Sequence, residues 1–204
     1  MGRSMETDRG TAGRPREGRV TLALLEATLS ELCENGYQKA TIASIAARAR
    51  TSKQAVYRRY ADKADLIAAA VEQGLARANP GPPQRGSVAE DLRQSLQTTV
   101  TALQETPLGG AVRALVPYRH IPALAAVLDE AEENRRLNMR QIFIATPFEA
   151  DMETRIDLLL GFVSFRALLR NVPIEPDAVE TAIYLVLGLV APRAPFSRSG
   201  LPGL

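Results

Sequence analysis

Between Thr41 and Leu66 the chain reads TIASIAARARTSKQAVYRRYADKADL, and this stretch concentrates its most versatile polar side chains. Lys53, Gln54, Tyr57 and Arg58 fall close together within it. An amide such as Gln54 donates and accepts at once, which matches the edge of adenine, while Lys53 can reach guanine or a phosphate oxygen. The phenol of Tyr57 and the hydroxyls of Thr41 and Ser52 suit phosphate oxygens. Lys63, Arg48, Arg50 and Arg58 add positive charge, an attraction that salt weakens. From Tyr37 to Lys63 there are seven Lys or Arg against one acid, Asp62. This is equipment for holding a polyanion.

Such side chains read base edges only from a rigid carrier. Thr41 is a good N-cap, and Ile42, Ile45, Ala46 and Ala49 follow it at helical spacing. Ser52 is a second N-cap. The helix it opens buries Ala55 and Val56 and shows Lys53, Gln54, Tyr57 and Arg58 on its other face. Tyr57 has an alternative place in the core, and Arg48 or Arg59 an alternative as solvated surface. A short cationic helix braced by a second one is the design of a helix-turn-helix whose recognition helix lies in the major groove.

Gly36, Thr41-Ile42, Ile45-Ala46, Ala49, Ser52-Lys53, Val56-Tyr57, Tyr60, Lys63 and Leu66 together resemble the N-terminal signature of the TetR family of transcriptional repressors. The match holds in a single register. It implies that Lys63 occupies the family's phosphate-clamping position. Two positions depart from the pattern. Arg50-Thr51 stands where the family has Gly-Val, and a left-handed residue is expected there, which strains an arginine. Gln54 replaces the family's small residue and gives the recognition helix an extra base-reading amide.

The 204 residues allow one large or two small domains with a real core. Residues are 46% hydrophobic and 24% charged, aromatics are few and Trp is absent, a composition that favours helix over strand. No apolar stretch is long enough to span a bilayer and no secretory signal precedes the first helix, so a cytoplasmic location is expected. The single Cys33 excludes an internal disulfide and a cysteine-cluster metal site. Net charge of +2 conceals an asymmetry: residues 1–66 carry a net of +4 and all three lysines, the remainder a net of −2. A basic end on an acidic body suggests that one end meets nucleic acid.

Enzyme signatures are missing. There is no P-loop, dinucleotide fingerprint or HExxH, and the lone histidine, His120, reads better as a cap or packed polar group than as an acid–base. Asp129-Glu130 and Glu132-Glu133 read as a solvated helix face. No cofactor and no metal is expected.

In chain order, residues 1–16 form a polar, disordered arm whose Arg3, Arg9, Arg14 and Arg16 either follow the minor groove or the phosphates as basic arms do or take no part in binding, Met5 being a second possible start. A helix from about Glu17 to Asn35 ends at Gly36, with Cys33 on its apolar stripe as a buried small residue. A fourth helix begins near Asp62 and runs to about Ala78, completing a DNA-binding domain over 17–78. Asn79 to Gly86, NPGPPQRG, breaks the chain. A helical ligand-binding and dimerisation domain over 87–191 follows, then a flexible tail over 192–204. Its segments run from Ser87 to about Glu105, Leu108 to Pro117, Pro122 to Ile144, Asp151 to Arg170 and Pro176 to Val190. In the third of these Leu124, Val127, Leu128, Ala131, Leu137 and Ile142 are expected to face inward. The whole is all-α, about nine helices.

The last two helices are apolar on more than one face, through residues such as Leu158, Phe165, Leu185 and Leu189. Each must then be buried on both, either inside one monomer or against a second copy. Two such helices in succession, with Gly161 and Gly188 permitting close approach, point to a homodimer through 151–170 and 176–190. Two recognition helices would then read a palindrome with half-sites about 34 Å apart. The body resembles the ligand-binding domain of TetR-type repressors in its helical layout. Candidate pocket residues are Leu96, Val100, Leu103, Arg113, Tyr118, Phe143, Phe162, Phe165 and Arg166. Arg113 and Arg166 would require a carboxylate partner or an anionic ligand.

The reading is a homodimeric regulator of double-stranded DNA, released from a palindromic operator by a small-molecule inducer. Its rival is a helical module whose basic face docks an acidic protein.

Overall fold

The computed structural model describes residues 14–79, 81 and 86–189, with side chains from Gly18 onward. The expectations for the arm before Arg14, for most of the proline-rich break and for the tail concern residues outside those described. Among the described residues there are nine α-helices and no strand. They are α1 (Arg14–Lys39), α2 (Ile42–Arg48), α3 (Lys53–Tyr57), α4 (Lys63–Ala78), α5 (Val88–Glu105), α6 (Pro107–Leu115), α7 (Pro122–Phe143), α8 (Met152–Ser164) and α9 (Pro176–Val186). Short 3₁₀ turns occupy Val116–Tyr118 and Glu149–Asp151, and a π-helical turn, Phe165–Leu169, extends α8. α1 starts at Arg14, three residues before the expected boundary, and is kinked at Gly36, whose φ of 71° no other residue type adopts easily.

The chain forms two compact units, and neither is a continuous segment. Of the described residues, the first gathers those up to Ala78 together with Leu103–Glu132, and the second those of 79–102 and from Glu133 onward.

In the first unit, α1 supplies the inner face. Leu24, Leu25 and Ala27 pack with Ile42, Ile45 and Ala46 of α2, Val56 of α3, and Leu66 and Ala70 of α4. On another side α1 meets α6 at Gly110, where a Cβ would lie 2.3 Å from the sulfur of Cys33, so only glycine there lets α6 lie this close; a Cβ on Gly109 would strike the Leu103 carbonyl near the end of α5. The expectation for Cys33 is corrected. The residue is exposed: the inward stripe of α1 runs through Leu24, Leu25, Thr28, Glu31 and Leu32, and Cys33 stands beside it.

In the second unit, ion pairs join neighbouring helices. Arg93 of α5 donates to both oxygens of Glu180 on α9, at 2.7 and 2.6 Å. Arg136 and Arg140 of α7 reach Glu153 on α8, at 3.4 and 2.5 Å. The hydrogen bond from Arg93 holds the Glu180 carboxyl below its ordinary pKa, against the effect of burial. Leu137 is a second correction. The inward stripe of α7 runs through Leu124, Val127, Arg135, Met139 and Ile142, so Leu137 stands off it and is exposed.

Arg50 ends α2 in the left-handed region, φ 53°. Its N–H donates to Ala47 O (3.1 Å) and that of Thr51 to Ala46 O (2.9 Å), the paired bonds of a Schellman turn. A side chain in that conformation costs about 1–2 kcal/mol, partly offset because glycine is freer when unfolded. Arg50→Gly is therefore expected to stabilise the protein by about 0.5–1 kcal/mol, raising the thermal midpoint by about 2 °C, as read by calorimetry without DNA.

Candidate nucleic-acid interface

α2 and α3 are held by local hydrogen bonds that the sequence encodes. Thr41 accepts from Ser44 N–H (3.0 Å), while the Ser44 hydroxyl oxygen accepts from Thr41 N–H (3.1 Å), a reciprocal capping box. Ser52 caps α3 by accepting from Ala55 N–H (3.2 Å). Asp62 Oδ1 accepts from Asp65 N–H (2.9 Å) at the start of α4. Only Val56 of α3 is buried. Around it Lys53, Gln54, Tyr57 and Arg58 all face solvent, and Tyr57, at 57% exposure, has no place in the core.

Arg48 behaves differently from its neighbours. It pairs with Glu34 (2.8 Å) and with buried Glu31 (3.2 Å), bracing α2 against α1. Its guanidinium draws the Glu34 carboxyl below the ordinary carboxylate range. The expected electrostatic role of Arg48 toward DNA is corrected accordingly. Arg59 donates to Ala55 O (2.8 Å) within its own turn. Among the described residues no ion pair engages Lys53, Arg50 or Arg58.

Lys63 is half-buried at the N-terminus of α4. Its ammonium donates to Tyr37 O (2.8 Å) and Ala40 O (3.2 Å) and lies 4.1 Å from the centre of the Tyr37 ring. Burial lowers its pKa from the usual lysine value. Sequence reasoning did not single out Tyr37. The signal was a ring just after Gly36, where the kink aims it back at α4.

The residues expected to line a pocket divide between the two units. Leu103, Arg113 and Tyr118 lie in the first. Tyr118 is half-buried with its ring centre 4.3 Å from that of Tyr37, and His120, exposed, stands 6.0 Å from Tyr118. Leu96, Val100 and Phe143 are buried in the second unit, and Phe162 is partly so beneath the Arg166 guanidinium at 5.7 Å. Phe165 is corrected: it is exposed, on the same outer face as Leu158 and Leu169. Among the described residues no group of His, Cys, Asp and Glu is arranged to hold a metal ion. No helix there is long and apolar enough to cross a membrane.

An all-helical chain with a capped, cationic, solvent-facing second helix is a helix-turn-helix protein. Residues 24–70 match the profile of bacterial regulatory proteins of the tetR family, and residues 82–186 that of the tetracyclin repressor-like C-terminal domain. An HTH-type transcriptional regulator of Mycobacterium tuberculosis is 32% identical over 184 residues, 86% of this chain and 89% of the relative. The DNA-binding transcriptional repressor TetR of Mycobacteroides abscessus is 34% identical over 96 residues, 46% of this chain and 50% of that protein. Among solved structures, the regulator TylP of Streptomyces fradiae superposes with a TM-score of 0.68 at 21% identity, covering 86% of this chain and 88% of that one. A Rhodococcus transcriptional regulator gives 0.65 at 22% identity, covering 84% and 94%. The chain belongs to the TetR family of helix-turn-helix transcriptional regulators. It is a DNA-binding regulator, which decides against the protein-docking module.

The two kinds of arginine separate experimentally. Arg58→Ala is expected to weaken DNA binding and to lower the salt slope by about one, while Arg48→Ala lowers the thermal midpoint and leaves that slope unchanged. Titrations of a labelled duplex at several salt concentrations, beside thermal melts, check both.

Proposed function

We propose that this regulator is a homodimeric repressor that binds a palindromic operator and leaves it when a small molecule occupies its C-terminal region. The observation that carries the operator reading is the outward face of α3. There Gln54 would make a bidentate contact to adenine, Lys53 one to guanine or phosphate, and Tyr57 and Arg58 contacts to the backbone, a reading supported by their exposure. Thr41 and Ser52 stand at helix N-termini, where backbone N–H groups and hydroxyls converge on phosphates. Lys63 has a third N–H beyond the two held by carbonyls, and that one serves a phosphate. The DNA-binding region is residues 17–78, and residues 87–191 carry dimerisation and ligand binding, in a cytoplasmic protein.

The dimer reading is supported by an apolar face on α8 and α9. Leu169 and Leu185 are 76% and 73% exposed, and Leu158, Phe165 and Leu189 are exposed beside glycines with open space at Gly161 and Gly188. Apolar surface of this extent is stabilised by association. The ligand we expect is largely apolar with one anionic group, for which Arg113 and Arg166 are the candidate partners. Ligand acts by favouring a state whose α4 spaces the two recognition helices wrongly for the operator.

Selection of bound duplexes from a random pool at near-physiological salt tests the operator reading. A palindrome should emerge from the wild type, and Gln54→Ala should relax preference at one position in each half-site; an unstructured pool would sink the proposal. Leu185→Glu should convert the dimer to a monomer in light scattering and abolish palindrome binding. A dimer surviving that change places the interface elsewhere.

A further inference from the structure

Lysine is a compact charge on a flexible four-carbon stem, and an exposed one spreads over many rotamers. At Lys63 the stem is confined instead. Two carbonyls, of Tyr37 and Ala40, take two of its N–H donors, and the face of the Tyr37 ring lies 4.1 Å away. That ring is itself confined from elsewhere in the chain. Tyr118 packs on it with centres 4.3 Å apart and planes inclined by 37°. Tyr118 closes the 3₁₀ turn Val116–Tyr118, whose Pro117 restricts the backbone, and its carbonyl accepts from Ile121 N–H (2.9 Å). The turn continues α6, which the Gly110–Cys33 approach seats against α1. The result is a chain of contacts, α6 to Tyr118 to Tyr37 to Lys63, all inside the first unit. Its far end lies in the segment that matches the C-terminal family profile.

We infer that Tyr118 is a positioning residue for DNA binding, holding the Lys63 ammonium in place through the Tyr37 ring. The inference rests on the reading of Lys63 as a phosphate contact. Tyr118 touches no DNA in this arrangement. It acts by keeping the Tyr37 face under Lys63, so that the ammonium is already placed when a phosphate arrives and less side-chain entropy is lost on binding. Any change that shifts the Val116–Tyr118 turn then alters DNA affinity without altering α3.

The test is a double-mutant cycle on the full chain: wild type, Tyr118→Ala, Lys63→Ala and the pair. Each is titrated, over a range of salt, with a mixed-sequence duplex and with the duplex recovered by selection. Tyr118→Ala is expected to weaken binding to both by about tenfold and to lower the salt slope by about one, as Lys63→Ala does, and to add nothing in the Lys63→Ala background. Tyr118→Phe keeps the ring and should bind as wild type. Where the alanine variant fails to fold, Tyr118→Leu keeps the bulk without the ring and should show the same loss. Lys63→Ala without effect would refute the phosphate contact and the inference with it. A loss at Lys63→Ala, with Tyr118→Ala or Tyr118→Leu either silent or fully additive, overturns the positioning role alone.

Discussion

A helix of five residues has no stability of its own in water, and the recognition helix has only five. Its existence depends on what is done to its ends and on one buried side chain. Ser52 caps the start, and Val56, fully enclosed among Ile42, Ile45, Ala46 and Leu66, fixes the helix in depth and rotation. With Val56 inward, the helical period leaves Lys53, Gln54, Tyr57 and Arg58 no direction but solvent. The polar face is thus set by an apolar contact. The remaining helices of the first unit hold the far side of that contact still.

The same logic explains why Leu103–Glu132 belongs with the N-terminal helices. The cluster around Val56 uses one side of α1, and the side near Cys33 is left to be covered by α6. Gly110 lets the two backbones come close there. Within the first unit, α6 seated on α1 and the tilted Tyr118–Tyr37 ring contact tie residues far apart in sequence to the N-terminal helices.

Features decided within a few residues were legible in the sequence. Thr41 and Ser52 cap where expected, Ser87 opens its helix as a cap, Gly36 turns the chain, and the left-handed conformation at Arg50 is what the resemblance to the family's turn implies. Features decided by distant partners were not. Cys33 reads as part of an apolar stripe, yet the buried face of α1 takes the polar Thr28 and Glu31 instead and leaves Cys33 exposed. Leu137 looks inward until Arg135 takes the stripe. Phe165 reads as pocket lining because apolarity does not say which side of a helix is covered. Tyr118 reads from the sequence as a candidate for a pocket lining, and only the fold brings it to Tyr37. Arg48 looked like its basic neighbours until Glu31 and Glu34 on another helix were placed beside it.

Arg48 also shows how the charge on this surface is sorted. The cations whose job is structural are matched with acids: Arg48 with Glu31 and Glu34, Arg93 with Glu180, Arg136 and Arg140 with Glu153. Lys53, Arg50 and Arg58 have no such match among the described residues, although they fall within one nine-residue stretch of the chain, where like charges repel. Matching them would have been simple in a chain with 23 acidic residues. Left unmatched, they destabilise the free protein slightly, and that repulsion is relieved when a polyanion binds. The free energy withheld from folding is thereby returned on association, so the unmatched charges belong to the bound state.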